Sequence, residues 1–275
     1  MLLSVKDLCI RFNSTAEKAV EAVKGVHFDL DKGEVLAVVG ESGSGKSVTA
    51  LALTKLLPPA PKCMLSGEID FDGKGNLIDF SEQKLQKIRG GSIAYIFQNA
   101  STALNPALTI GFQIAESIRL HAPVEDVKAK VCEWLKKVGL DPERHYSAYP
   151  FQLSGGMQQR AMIAVALACA PKILVADEPT TALDVTLQNQ IIDLLKALRE
   201  SENIAIIFIT HNLSLIKNFS DRAVVMYQGK VVEQGSTQQI LEMPQHPYTR
   251  ALIQCIPSLD HAERRLKTIE DYQTL

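Results

Sequence analysis

Three short segments of this chain carry the side chains that phosphate chemistry needs. The first runs from Gly40 to Ser47 with the sequence GESGSGKS and fits the phosphate-loop spacing G-x-x-x-x-G-K-[ST], directly after an apolar run. Its glycines let backbone N–H groups turn inward toward an anion, and the following helix adds its positive end. Lys46 supplies a charge for the β- and γ-phosphates, and the Ser47 hydroxyl can ligate Mg²⁺. The alternative is a glycine-rich turn that carries a lysine by chance.

The second segment is a pair of carboxylates, Asp177 and Glu178, which follows the apolar run Ile173 to Ala176. The carboxyl end of a buried parallel strand is the usual ligand edge of an open sheet. Asp177 is therefore predicted to hold Mg²⁺, through water. Glu178, one residue farther out, is predicted to polarise the attacking water as a general base. The alternative is a solvated start of a loop.

The third segment, Ser154-Gly155-Gly156, stands before a long helical pattern at 161–170. A hydroxyl, exposed amides and a helix dipole again form an anion-binding arrangement. The chain thus carries two anion sites but one lysine-bearing loop and one carboxylate pair. A simple explanation is that the second site serves a nucleotide held by another subunit, in a head-to-tail pair. The alternative is a capped helix without a ligand.

The elements that must position these segments form an alternating α/β pattern. Apolar runs at 35–39, 173–176 and 204–209 suit strands covered on both faces, and each has a helical pattern beside it. The region 100–165 differs, because apolar residues recur there at helical spacing in 110–121 and 124–138. We predict a helical insertion in an α/β core. Gln228-Gly229 separates two apolar runs and predicts a hairpin.

Composition limits the classes of function. The 275 residues include 29 Lys and Arg against 31 Asp and Glu, a net charge of −2, so the basic excess usual in nucleic-acid-binding proteins is absent. No uncharged apolar stretch approaches the roughly 20 residues that span a bilayer, which predicts a soluble chain. The five cysteines lie far apart and predict reduced thiols without a metal centre or disulfides.

With these motifs in hand, the chain resembles the nucleotide-binding subunit of an ATP-binding cassette (ABC) transporter. The resemblance spans residues 40 to 211 and includes LSGGM at 153–157, TALD at 181–184 and Thr210-His211. It implies an α/β P-loop NTPase core with a mostly parallel sheet, an N-terminal antiparallel β portion and a helical subdomain, with ATP and Mg²⁺ as cofactors. The domain prediction is an ATP-binding core of residues 1–99 and 166–235, a helical subdomain of 100–165 and a C-terminal tail of 236–275.

The resemblance also assigns roles to single residues. Catalytic roles fall to Glu178, to His211 at the γ-phosphate and to Gln98, whose loop would couple chemistry to a membrane subunit. The residues implied to bind ATP are Phe12, Gly40, Ser42, Gly43, Gly45, Lys46 and Ser47. Those implied to reach a partner's nucleotide are Ser154, Gly155, Gly156 and Gln158, with Asp184 bridging to the partner's phosphate loop. Those implied to hold Mg²⁺ are Ser47, Gln98 and Asp177.

Two of these positions depart from the family pattern or leave an alternative open. Phe12 would stack on adenine where tyrosine is more typical, and a phenylalanine ring can still stack. Its alternative role is in the core. Asn99 follows Gln98 where the family usually has aspartate, which weakens the inference about the coupling contact but leaves the ATP chemistry alone.

Within the family, QNASTALNP at 98–106 and HPYTRAL at 246–252 resemble importers of oligopeptides, dipeptides and nickel. This implies an ATPase that powers uptake by closing head to tail on ATP. Implied partners are two membrane permeases, a second ABC ATPase (a paralogue or a second copy) and, indirectly, an extracytoplasmic binding protein, with no nucleic acid. The implied location is the cytoplasmic face of the cell membrane. Nickel or another small solute, a non-transport ABC protein and a regulatory subunit that binds ATP without hydrolysing it are the alternatives.

Overall fold

A computed structural model describes residues 1–13, 19–181 and 183–255. The chain divides into two compact units, one formed by Met1–Ile78 and the chain from Phe208 onward, the other by Asp79–Ile207. We call them the first and second unit. Among the described residues, no helix combines the length and the apolar character needed to cross a membrane. The domain boundaries predicted at residues 100, 165 and 236 stay predictions.

The first unit contains two groups of strands. Its elements are β1 (Leu3–Phe12), β2 (Val20–Leu30), β3 (Val35–Val39), α1 (Lys46–Ala52), β4 (Cys63–Phe71), β8 (Arg222–Tyr227), β9 (Lys230–Ser236), α9 (Thr237–Glu242) and α10 (Pro247–Gln254). Strand β1 pairs antiparallel with both β2 and β4, as the sequence predicted for an N-terminal antiparallel portion. Strand β3 is buried along its whole length and pairs parallel with β8.

The hairpin between β8 and β9 is the one that the sequence predicts. The strands pair antiparallel from Arg222 with Ser236 to Tyr227 with Lys230. Gln228 and Gly229 form its two-residue loop with φ of 48° and 82°. Positive φ at both loop residues is the type I′ geometry, whose twist matches that of the flanking strands.

The second unit is mainly helical. Its elements are α2 (Glu82–Ile88), β5 (Ile93–Ile96), α3 (Ala100–Ala103), α4 (Ile110–His121), α5 (Val127–Lys137), α6 (Pro142–His145), α7 (Gly155–Leu167), β6 (Ile173–Asp177) and α8 (Val185–Glu202). Strands β5 and β6 pair in parallel. The following strand, β7 (Ala205–Thr210), carries the chain from the second unit back into the first.

Helix α7 packs at the centre of the second unit, against α3, α4, α5, α8 and β5. Small residues let its neighbours come close: a Cβ added to Gly156 would lie 3.2 Å from a methyl group of Leu187. Opposite charges add to this packing, because the Lys137 ammonium of α5 bonds Glu202 of α8 at 2.7 Å. Helix α7 is therefore held by contacts with several elements of the second unit.

Candidate functional site

The phosphate loop connects β3 to α1 in the first unit and has a backbone that only glycine can supply at two points. Gly40 has a φ of 149° and Gly45 a φ of 103°. A Cβ at Gly40 would lie 2.2 Å from the Met226 carbonyl oxygen, and one at Gly45 would lie 2.8 Å from the Ala22 carbonyl oxygen. Backbone atoms of β8 and β2 thus lie so close to the loop that Gly40 and Gly45 leave no room for a side chain.

Lys46 lies inside the curve of this loop. It is 5% exposed, and its ammonium donates to the carbonyl oxygens of Gly40 at 2.8 Å and Glu41 at 2.7 Å. The loop is tied to the β8–β9 hairpin as well, because the Gly229 amide donates to the Ser44 carbonyl at 3.1 Å. The Lys46 ammonium is therefore held by carbonyl oxygens of the loop itself.

The residues of this loop fit the phosphates of a nucleoside triphosphate. Within the described part of the chain, no carbonyl or side chain accepts a hydrogen bond from the amides of Ser42, Gly43 or Gly45. Ser42 and Gly43 are exposed, and Ser47 is exposed in the first turn of α1. Unpaired amides around a buried ammonium, at the start of a helix, are the donors that a phosphate accepts from.

The carboxylate pair lies in the second unit, at the end of strand β6. Asp177 is the last residue of β6 and Glu178 the first residue beyond it, and both are partly exposed. Glu178 has a φ of 47°, a left-handed conformation that is rare for a residue of its kind. The backbone turns sharply here, so two adjacent carboxylates need not follow the alternation of an extended strand.

The Glu178 carboxylate is held by two neutral donors. The Gln98 amide nitrogen and the Thr181 hydroxyl each donate to its Oε2 atom at 2.8 Å. Gln98 follows β5, and the structure therefore brings together two of the residues predicted to be catalytic. Thr181 belongs to the TALD segment, and the sequence predicts no contact between it and Glu178. Its spacing of three residues, on a turn, is the signal that could have identified it.

Ser154 and Gly155 begin helix α7 and are exposed. Ser154 is the N-cap residue, yet its side chain makes no capping hydrogen bond. Ser154 is therefore an exposed residue at the start of a 13-residue helix, whose first amides have no acceptor within the helix. Gly156 is buried against Leu187, where the lack of a side chain allows close packing, and the predicted contacts of Ser154, Gly155 and Gly156 with a partner's nucleotide stay predictions.

The Gln158 side chain, by contrast, bonds the segment just before its helix α7. Its amide nitrogen donates to the carbonyl oxygens of Leu153 at 3.2 Å and Pro150 at 2.9 Å. The same arrangement recurs twice in this unit: Gln113 donates to Leu108 and Asn105, and Gln188 donates to Leu183 and Thr180. Each glutamine is the fourth residue of its helix and bonds the carbonyls five and eight positions earlier. The predicted contact of Gln158 with a partner's nucleotide stays a prediction.

The remaining predicted residues lie at the ends of elements. Asp184 is the N-cap of α8 and accepts from the Leu187 amide at 3.0 Å, and Ala182 before it lies outside the described residues. His211 is exposed and follows β7. Phe12 ends β1 and is partly exposed, opposite Val20 and Cys63. Asn99 caps α3 by accepting from the Ser101 amide, a bond that aspartate could accept equally.

Comparison with known proteins decides the family. Residues 23–181 match the ABC transporter family. The chain belongs to that family. Residues 232–274 of this ABC protein also match the C-terminal region of the oligopeptide/dipeptide transporter family.

Relatives and solved structures agree with this assignment. The chain is 48% identical over 262 residues to the oligopeptide transport ATP-binding protein OppD of Bacillus subtilis (strain 168), which covers 94% of this chain and 73% of that protein. It is 47% identical over 265 residues to the glutathione import ATP-binding protein GsiA of Escherichia coli (strain K12), covering 94% of this chain and 42% of the longer relative.

A solved structure extends the likeness to three dimensions. The ATP-binding cassette MJ0796, in a dimeric post-hydrolysis state bound to ADP and Pi, is similar with a TM-score of 0.75 and 30% identity, over 86% of this chain and 99% of that one. The predicted fold class is confirmed as the ABC ATPase fold, and this ABC protein is an ATPase.

Proposed function

We propose that this ATPase powers the import of oligopeptides or dipeptides. The observation that carries the proposal is the match of residues 232–274 to the C-terminal region of oligopeptide/dipeptide transporters, joined to an ABC ATPase. The glutathione importer relative supports a short peptide as the cargo class, because glutathione contains peptide linkages. Partners in this proposal are two membrane permeases, a second ABC ATPase and, indirectly, a binding protein, with the ATPase at the cytoplasmic face of the membrane.

The residue roles follow from the chemistry of each group. Lys46 and the loop amides bind the ATP phosphates, and Phe12 stacks on the base. Ser47, Gln98 and Asp177 offer the hard oxygen ligands that Mg²⁺ prefers. When bound, Mg²⁺ neutralises charge that develops on the phosphates. Glu178 orients and deprotonates water, and His211 contacts the γ-phosphate.

Replacement of Glu178 by glutamine tests the catalytic part of this proposal. Glutamine can still accept hydrogen bonds from Gln98 and Thr181 but cannot take a proton. ATP turnover is expected to fall about 10²- to 10⁴-fold, the range for loss of a general base, while ATP binding remains. Phosphate release and calorimetric ATP binding measure the two quantities. Near-normal turnover by the Glu178→Gln chain would contradict the role.

Pairing of two cassettes can be tested by mixing variants. In a head-to-tail pair, a Lys46→Ala chain lacks its own loop lysine, and a Ser154→Arg chain spoils the site of its partner. Each variant alone has no complete site, whereas a mixed pair has one. Recovered activity of about a quarter of wild type is expected from random exchange in a symmetric dimer. No recovery would show that copies of this chain do not complete each other's sites, and the paralogous partner would then be the subunit to add.

Uptake by cells tests the cargo. A strain that lacks this gene should lose uptake of labelled di- to pentapeptides and regain it with the wild-type chain but not with Lys46→Ala. Labelled glutathione and nickel in parallel assays distinguish the related cargo classes. Unchanged peptide uptake in the deletion strain would contradict peptide import.

A further inference from the structure

Hydrogen bonds hold the start of helix α10, in the C-terminal part of the first unit, against strand β9. The Glu233 carboxylate of β9 accepts hydrogen bonds from the Gln245 amide at 2.7 Å and the His246 amide at 3.0 Å. His246 caps the helix by accepting from the Tyr248 amide at 3.2 Å. The first turn of α10 therefore has a fixed place relative to the β8–β9 hairpin.

Tyr248, in this first turn, reaches the phosphate loop. Its side chain is buried, with 7% of the residue exposed, and its ring stacks on Tyr227 with centroids 4.1 Å apart. Its hydroxyl oxygen accepts a hydrogen bond from the Glu41 amide at 3.0 Å. Burial raises the pKa of Tyr248 to about 12, so the phenol stays protonated at neutral pH.

The bonded amide belongs to the peptide group that also holds Lys46. The peptide group between Gly40 and Glu41 is planar, and its carbonyl oxygen accepts from the Lys46 ammonium at 2.8 Å. Its N–H on the opposite side donates to Tyr248. Rotation of this one plane would disturb both bonds together. The orientation of the lysine and the position of the tyrosine hydroxyl are thus mechanically coupled.

We propose that Tyr248 is a positioning residue of the nucleotide site: its hydroxyl fixes the Gly40–Glu41 peptide, and through it the Lys46 ammonium, in the orientation that binds phosphate. The C-terminal segment therefore contributes to nucleotide affinity in addition to packing. This inference rests on the proposed role of the loop in binding ATP.

A Tyr248→Phe variant removes one oxygen atom and keeps the ring on Tyr227. Loss of one hydrogen bond to a buried group predicts about 3- to 10-fold weaker ATP binding. Calorimetric titration with ATP in the presence of EDTA measures the affinity without ATP hydrolysis, because EDTA removes Mg²⁺. Hydrogen exchange should show faster exchange of the Glu41 amide, because that amide loses its acceptor. If removal of the hydroxyl affected only overall stability, the unfolding midpoint would fall and the exchange of the Glu41 amide would show no local increase.

Tyr227→Phe is the matched control. It removes a hydroxyl from the same stacked pair, one that accepts from the Gln228 side chain at 3.1 Å, whereas the Glu41 amide donates to Tyr248. Its ATP affinity should equal that of wild type. A second variant, Glu233→Gln, weakens the attachment of α10 without touching Tyr248 and should shift ATP affinity in the same direction as Tyr248→Phe.

The outcomes separate the two proposals. Weaker binding and faster Glu41 exchange in Tyr248→Phe, with Tyr227→Phe unchanged, support the positioning role. Unchanged ATP affinity in Tyr248→Phe, while Lys46→Ala loses binding, overturns the positioning role and leaves the nucleotide site intact. Absence of ATP binding by the wild-type chain overturns both. Equal losses in Tyr248→Phe and Tyr227→Phe also overturn the positioning role, since the shared stack would then be the cause.

Discussion

At the scale of single residues, the backbone and the two hydrogen-bond donors of Glu178 orient its carboxylate. Glu178 lies directly after strand β6. Its left-handed backbone and the two donors on one oxygen both depend on how this turn closes. A non-glycine residue in that conformation costs about 1 kcal/mol or more, which the surrounding structure must offset.

Thr181 provides a test of how that carboxylate is oriented. Replacement by valine keeps the branched shape and removes the hydroxyl that donates to Glu178 at 2.8 Å. We expect kcat to fall about 3- to 10-fold with little change in KM, because one hydrogen bond that positions the base is lost. Steady-state ATP hydrolysis measures both constants. Thr181→Ser, which keeps the hydroxyl, should retain most of the activity, and an equal loss in both variants would argue against this role.

At the scale of elements, the sequence predicts the helices and strands that have strong apolar patterns, but several of their ends could not be predicted. The pattern at 110–121 predicts α4 with its observed bounds, and the buried run at 35–39 predicts β3. The pattern at 124–138 begins too early, because Asp126 caps the helix through the Ala129 amide and α5 starts at Val127. The helix after the phosphate loop begins at Lys46 and ends at Ala52, before Lys55 adopts a φ of 53°. A capping bond therefore marks the start of α5, whereas a left-handed residue follows the end of α1.

Substitution of Gln188 tests the role of the three glutamines that occupy the fourth position of their helices in the second unit, which we call the fourth-residue glutamines. A carboxylate in its place cannot donate to the carbonyl oxygens of Thr180 and Leu183, and it faces them with like charge. We expect Gln188→Glu to lower the free energy of unfolding by about 1–3 kcal/mol, measured by urea denaturation. Asn189→Asp puts the same charge on an exposed neighbouring residue and should stay within about 0.5 kcal/mol of wild type. Equal stability of all three chains would show that these bonds contribute little.

The contribution of Glu233, which holds the start of α10, to the free energy of unfolding should depend on pH. Burial alone would raise the pKa of Glu233, but hydrogen bonds to its carboxylate, including those from the Gln245 and His246 amides, outweigh burial and hold the pKa below its ordinary value of 4.5. A lowered pKa in the folded state means that the carboxylate stabilises the fold above that ordinary value and ceases to do so as pH falls through the folded pKa. Wild type should therefore exceed Glu233→Gln in unfolding free energy at pH 7, and the difference should shrink below pH 4.5. A difference that stays constant with pH would contradict this account.

At the scale of the whole molecule, nucleotide binding should be visible as stability. A ligand that binds only the folded chain stabilises it by about 2.7 kcal/mol at a concentration 100 times its Kd. Thermal unfolding with and without ATP should show this gain in wild type and not in Lys46→Ala. Lys32→Ala, which removes a lysine from an exposed turn of the same unit, should keep the gain. A gain preserved in Lys46→Ala would place the nucleotide elsewhere.

Long-range contacts mark the limit of what the sequence could predict about the site. The motifs between residues 40 and 211 identified the family because their chemistry is local and their spacing is fixed. The bond between Glu41 and Tyr248 joins positions 207 residues apart. The HPYTRAL segment indicates only the transporter subgroup, since nothing in its spacing shows what the tyrosine contacts. Only the folded first unit brings it to the loop.

The three fourth-residue glutamines have a consequence for comparing this chain with its relatives. An uncharged amide has no charge to titrate or to be screened, so the hydrogen bonds that it donates to each loop should depend little on pH or salt. Retention of glutamine at such a position across diverging chains would thus report on architecture and would be poor support for a ligand. Variation at Ser154, whose side chain makes no capping bond, would be the more informative sign of altered chemistry.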